Sequence, residues 1–197
     1  EKLTLKDVDA SGIKINAGSD AEISAKTDAE ITGIDEDSKV DGDLLITGSG
    51  NESVVITELE VTGDLTAGTE ERSLENATVK GTAPDGVLNA HAGEAVSADV
   101  NGDITVGTIT GKTVSLKADN GSIINGLAES EKDKGNINAS VIELESTGFN
   151  TRIGEENDPL SVRITKNAGY TEALNADADG DIFLEVLNTP KDEVSKV

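Results

Sequence analysis

The stretch Asn101-Gly102-Asp103-Ile104-Thr105-Val106-Gly107-Thr108-Ile109, continued by Thr113-Val114-Ser115-Leu116-Lys117-Ala118-Asp119-Asn120-Gly121-Ser122-Ile123, decides the fold. Apolar and polar residues alternate in Ile104-Thr105-Val106 and again in Thr113-Val114-Ser115-Leu116, so each segment reads as a strand with one apolar face. Gly102-Asp103-Ile104 and Gly121-Ser122-Ile123 stand 19 residues apart. Glycine takes backbone positions closed to other residues, and Asp or Ser bonds nearby backbone, so each triplet reads as a corner that opens a strand.

The corner recurs outward from this stretch, at Gly42-Asp43-Leu44, Gly63-Asp64-Leu65, Gly135-Asn136-Ile137 and Gly180-Asp181-Ile182. The step from Gly42 to Gly63 is 21 residues, and that from Gly63 to Gly102 is 39, close to two periods with Gly81 near the midpoint. The same alternation marks Leu3-Thr4-Leu5-Lys6, Ile13 to Ala17, Ala21 to Ala25, Ile142 to Glu145, Leu160 to Ile164 and Ile182 to Val186. A period of roughly 20 residues holds three short strands and their corners, one turn of a three-sided solenoid. A single turn cannot bury its inward Val, Ile and Leu, so turns must stack, with parallel ladders satisfying the backbone.

The predicted fold is therefore all-β, a right-handed parallel β-helix with roughly 20-residue coils. It forms one domain over residues 1–187, and residues 188–197 are a tail or a link to a longer parent chain. The alternative is a β-sandwich, in which Asp41-Gly42, Asp85-Gly86, Asn101-Gly102 and Asn120-Gly121 would close antiparallel hairpins. Glu129 to Lys134 breaks the pattern as a solvated loop, and Thr69 to Glu75 reads as one helical turn.

Composition removes several functions. With 39 acidic against 16 basic residues the net charge is −23, which repels nucleic-acid phosphates and anionic membranes alike. Wholly aliphatic runs such as Val54-Val55-Ile56 are far too short to span a bilayer. Cysteine is absent, which excludes disulfides, thiol catalysis and zinc-thiolate sites. Methionine is absent too, and Glu1-Lys2-Leu3 opens no signal-peptide hydrophobic stretch, so the sequence is expected to be a mature form or an excised segment. Tyr170, Phe149 and Phe183 are the only rings, fewer than a conventional core of this size carries.

Taken together, the 101–123 stretch and the run Ile153-Gly154, Asn157-Asp158-Pro159-Leu160-Ser161-Val162 and Leu174 to Glu185 resemble the repeat region of filamentous haemagglutinin-like adhesins, exported right-handed β-helix proteins of bacteria. The two stretches lie within 101–123 and 153–185, and the Asn-Pro-Asn-Gly signature of that family's secretion domain is not present. The resemblance implies a non-enzymatic shaft segment at the bacterial cell surface or in the secreted fraction. It also implies a host or matrix protein, or a glycan, as the partner, and a monomeric piece of a larger chain without membrane insertion.

No catalytic, cofactor-binding or metal site is assigned, and no cofactor. The calcium candidate is Asp177, Asp179 and Asp181, alternating carboxylates around a glycine turn, set against an acidic corner of the scaffold. Counting from Asn175, the twelfth position is Val186 where a calcium loop needs a bidentate Glu. His91, the lone histidine, reads as a turn or corner residue. A β-helix polysaccharide lyase or hydrolase is the functional alternative, with Arg72, Arg152 and Arg163 as its only guanidinium groups. A cytoskeletal, bactofilin-like polymer is disfavoured because strong like charge opposes end-to-end assembly. Specific binding is expected on irregular loops such as Glu129 to Gly135.

Overall fold

The computed structural model describes residues 2–35, 37–166, 169, 171 and 173–187. Strands stand where the alternation places them, and among the described residues the one helical segment is a 3₁₀ turn at Glu129–Lys134. The chain is all-β, and among the described residues every pairing between named strands is parallel. Two-residue turns cannot join parallel neighbours. Accordingly, Asp41-Gly42, Asp85-Gly86, Asn101-Gly102 and Asn120-Gly121 close no hairpin, contrary to what the sandwich alternative requires.

Two long ladders organise the chain. One begins with Leu3–Val8, Ala21–Ala25, Leu44–Thr47 and Leu65–Ala67, then passes through the first half of Val87–Asn101 and Ile104–Thr110. The first half of Ile104–Thr110 continues to Ile123–Asn125, and its second half continues through Ile137–Ala139 and Leu160–Ile164 to Leu184–Val186. The other ladder begins with Gly12–Ile15, Ala29–Gly33, Ser53–Thr57 and Leu74–Thr82. From there it passes through the second half of Val87–Asn101 and Thr113–Asp119 to Val141–Thr147 and Ala173–Ala178. A short third ladder joins Lys39–Val40 to Glu60–Val61.

Register turns this topology into a core. In the second ladder Ile13, Ile31, Ile56, Val79, Ala98, Leu116, Leu144 and Ala176 are successive partners. All but the last are buried and belong to one continuous hydrophobic cluster. The outward column beside it runs Lys14, Thr32, Thr57, Lys80, Asp99, Lys117, Glu145 and Asp177. Period-2 alternation thus sends one column into the core and the next to solvent, all along the chain.

The Gly-Asp corner is a device for stacking. The Asp43 backbone N–H donates to Asp20 Oδ1 at 3.2 Å, Asp64 N–H to Asp43 Oδ1 at 2.9 Å, and Val87 N–H to Asp64 Oδ1 at 2.8 Å. Further along, Ser122 N–H donates to Asp103 Oδ1 at 2.7 Å and Arg152 N–H to Ser122 Oγ at 3.2 Å. Each carboxylate therefore satisfies a backbone donor one repeat onward, where the ladder has a gap. The glycines lie against each other: a Cβ at Gly86 would come within 2.6 Å of the Gly63 carbonyl oxygen. Within the long step between Gly63 and Gly102 it is thus Gly86, not the evenly spaced Gly81, that stacks on Gly63. Gly81 lies inside the strand Leu74–Thr82 with φ at 91°. Replacing Asp64 with Ala is expected to cost about 1 kcal/mol in chemical denaturation, with Asp64→Asn recovering most of it, because one hydrogen bond to a backbone donor is removed.

The segment expected as a helical turn is a tight loop closed by reciprocal Thr69 and Arg72 backbone bonds, at 3.1 and 3.2 Å. The strand that follows starts at Leu74, because Leu74 and Ala77 are needed in the core. Earlier, in the loop Gly48–Glu52, the Glu52 side chain folds back onto its own turn. Ser49 N–H donates to Oε2 and Ser49 Oγ–H to Oε1, both at 2.6 Å, and Asn51 N–H donates to Oε2 at 3.3 Å. Burial pushes this carboxyl up, but the bonds from Ser49, Asn51 and its own backbone outweigh it and hold it below the ordinary 4.5. Its stabilisation is therefore complete above pH 4.5 and is lost as the pH falls through the folded-state value. The gap in unfolding free energy between the native chain and Glu52→Gln is expected at about 1–2 kcal/mol at neutral pH, shrinking in acid; equilibrium urea melts across pH measure it.

Candidate binding groove

Outward residues of the first ladder form the floor of a groove of about 580 Å³. Thr66 and Asn89 are register partners, as are His91 with Thr110, Thr110 with Asn138, and Asn138 with Arg163. The period-2 pattern that buries Leu65, Leu88, Ala90, Ile109 and Ile137 turns these polar neighbours outward. Thr69 and Glu70 of the tight loop border the groove, and Lys134 of the 3₁₀ turn borders it as well. His91 is placed mid-strand and half-buried, not at a corner as the sequence suggested.

Arg163 ties the 3₁₀ segment to this surface. Its Nη1 donates to the Lys134 carbonyl and to Asn138 Oδ1, both at 3.3 Å, and its Nη2 to the Asp133 carbonyl at 3.0 Å. Its Nε is buried without a partner. Lys132 adds ion pairs to Glu129 at 2.6 Å and Asp158 at 3.0 Å, and Lys134 pairs with Glu131 at 2.7 Å. Hydrogen bonding to Glu129, then to Asp158, raises the Lys132 ammonium above its ordinary 10.5. The acid-base run is solvated as expected, with no residue buried, and is tied to the ladder through Arg163, with Lys134 at the groove. As a recognition surface, the groove offers hydroxyl, amide, imidazole and guanidinium groups on a rigid floor, suited to hydrogen-bonding a polar ligand.

A second groove, of about 560 Å³, crosses the outward face of the other ladder at Ser97, Ser115, Glu143 and Asn175 and at Asp99, Lys117, Glu145 and Asp177. Lys117 sits 3.2 Å from Asp119 and 3.9 Å from Asp99. Bonding to Asp119 first, and the charges of Asp119 and Asp99 after it, raise this ammonium.

The calcium candidates are not brought together. Asp177 faces outward on the strand Ala173–Ala178, Asp179 Oδ2 accepts from Gly148 N–H at 2.8 Å, and the Asp181 carbonyl accepts from Ile153 N–H at 3.0 Å. Asp177 belongs to the strand while Asp179 and Asp181 lie in the bend beyond it, where a calcium loop would wrap all three around a point. Among the described residues no group of three or more His, Cys, Asp or Glu side chains is arranged to hold a metal. The three arginines are also separate: Arg72 donates to Ser24 Oγ at 2.6 Å, and Arg152 pairs with Glu155, away from Arg163. Phe149 is 94% exposed at a loop tip, Phe183 borders a small depression with Arg152 and Glu155, and Tyr170 lies outside the described residues. Among the described residues no helix is long and apolar enough to cross a membrane.

Arg163 and the floor residues were not singled out as one site by sequence. Their signal was the outward parity in Leu160 to Ile164, but the Glu129–Lys134 segment lengthens the step between Ile109 and Ile137 to 28 residues. A fixed period near 20 therefore misaligns everything after it. Comparison with known proteins gives no match to a family model, a curated protein or a solved structure.

Proposed function

We propose that this chain is a non-enzymatic adhesin segment of a bacterial cell-surface or secreted protein, a right-handed β-helical shaft that also contributes to attachment through the polar groove. The unbroken inward column from Ile13 to Ala176 carries this reading. Nearly all of the sequence goes into lengthening one core, with corners that lock each repeat to the next. Right-handed coiling follows from the rule that parallel crossover connections take that hand. Continuous parallel ladders make a stiff spacer, and the exposed Thr, Asn, Asp and Glu columns keep it soluble. The resemblance of the 101–123 and 153–185 stretches to haemagglutinin-like repeats supports the adhesive role.

The groove bordered by Lys134 and Arg163 is the place where a host or matrix protein, or a glycan, would be held, since irregular segments on a rigid scaffold carry recognition. The test is an array of host glycans, matrix proteins and polyuronates incubated with the purified chain, with calcium or with chelator. The expected result is saturable retention without loss of printed material, abolished by replacing residues 129–135 with a Gly-Ser linker. Cleavage of a printed polysaccharide would overturn the proposal in favour of a β-helix lyase or hydrolase.

A further inference from the structure

Three Asn-Gly pairs stand in the sequence, at Asn101-Gly102, Asn120-Gly121 and Asn125-Gly126. In such a pair the glycine backbone nitrogen, unshielded by a Cβ, can attack the preceding carboxamide, and the fold decides whether it is available. At two of the pairs it is withheld. The Gly102 N–H donates to the Asp119 carbonyl at 2.9 Å, and the Gly126 N–H to the Val106 carbonyl at 2.8 Å. The Asn125 carboxamide is held as well: its Nδ2 donates to Asp158 Oδ1 at 2.7 Å, and its Oδ1 accepts from Leu127 N–H at 2.9 Å and from Asn136 Nδ2 at 2.7 Å. The third pair differs. Among the described residues the Gly121 N–H has no hydrogen-bond acceptor, so turning the peptide between Asn120 and Gly121 sacrifices no bond donated by it. Asn120 is exposed, with φ at 55° in the left-handed region that is costly outside glycine. Its Nδ2 donates to Asn101 Oδ1 at 3.2 Å, a single surface contact where Asn125 has three shorter ones.

We propose that Asn120 is a site of spontaneous deamidation. The Gly121 nitrogen attacks Asn120 Cγ, the new C–N bond closes a cyclic imide as the Cγ–Nδ2 bond breaks, and ammonia leaves with the proton of the former Gly121 N–H. Water then opens the ring at either carbonyl. One opening gives aspartate; the other gives isoaspartate, with the backbone routed through the side chain and one methylene longer. Either product adds a negative charge and removes the donor to Asn101 Oδ1. Isoaspartate also lengthens the backbone just before Gly121, which is buried and lies so close to Gly102 that a Cβ there would be driven into the Gly102 carbonyl. The longer chain has no room in this stacked corner, so the reaction loosens the contact between two successive repeats. The proposal rests on the corner geometry and is independent of the adhesive role.

Peptide mapping by mass spectrometry, on the folded chain sampled over weeks in mildly alkaline buffer, is the test. The expected result is deamidation at Asn120 about tenfold faster than at Asn101 or Asn125, the margin that one retained hydrogen bond gives each of the others. The peptide carrying position 120 should split into aspartate and isoaspartate forms. In urea, where the fold no longer discriminates, the three rates should converge. Equal rates at the three pairs in the folded chain, or a slower rate at Asn120 than at either of the others, would overturn the proposal. So would an Asn120 that stays intact in the folded chain while it reacts in urea.

Discussion

Gly121→Ala is expected to lower the free energy of unfolding by about 3 kcal/mol, read from the shift of a urea or guanidinium midpoint with the slope unchanged. A Cβ at Gly121 would lie 2.6 Å from the Asp103 amide nitrogen and be driven into the Gly102 carbonyl. Both are backbone atoms of the preceding repeat, so no side-chain rotation relieves the clash. The repeats must part locally, which also strains the Ser122 N–H bond to Asp103 Oδ1 and the Ile104–Ile123 ladder. Gly12→Ala serves as the control, since nothing lies within 4 Å of its added carbon. Equal losses at the two positions would show that the cost comes from glycine chemistry and not from stacking.

Asn136→Ala is expected to cost a similar amount, about 3 kcal/mol, for a polar reason. Asn136 is fully buried. Its Nδ2 donates to the Val106 carbonyl and to Asn125 Oδ1, both at 2.7 Å. Its Oδ1 accepts from Ser161 N–H at 2.9 Å and from Ser161 Oγ–H at 2.8 Å. The carboxamide thus fastens three successive levels of the first ladder where the Glu129–Lys134 insertion interrupts its regular pairing. Truncation leaves the Ser161 N–H buried without its acceptor, at about 1–3 kcal/mol, and takes one of two donors from the Val106 carbonyl, which keeps Gly126 N–H, and from Asn125 Oδ1, which keeps Leu127 N–H. A double-mutant cycle with Ser161→Ala should return a coupling energy of about 1 kcal/mol or more. Additive losses would mean that the network is not shared.

Much of the scaffold was legible from residue order. The run Leu160 to Ile164 is itself a strand, and the Gly42, Gly63, Gly102 and Gly121 corners mark strand starts, because period-2 burial and corner chemistry are both local properties. What the corners do was hidden. That Asp43 and Asp64 serve the following repeat depends on which residues stack, and stacking depends on loop lengths that vary from repeat to repeat. Gly81 fitted an even spacing, yet Gly86 holds the stacked place, in the reversed order Asp85-Gly86. The groove was harder still. Arg163, Asn138, His91 and Thr66 are scattered over about a hundred residues and meet only because several repeats bring them to one face. Asn136 looked like one more corner residue, and its burial follows from the insertion just before it.

Methyl and amide NOE measurements on the isotopically labelled chain test the central claim, a single parallel stack, most directly. The account predicts contacts from the Ile31 methyls to Ile56 and from Ile56 to Val79, together with sequential-repeat amide contacts in the parallel register of Ser53–Thr57 with Leu74–Thr82. Close Hα–Hα contacts between residues flanking Asn101-Gly102 or Asn120-Gly121 are the signature of antiparallel hairpins. Finding them in place of the parallel contacts would contradict the stack and the shaft built on it.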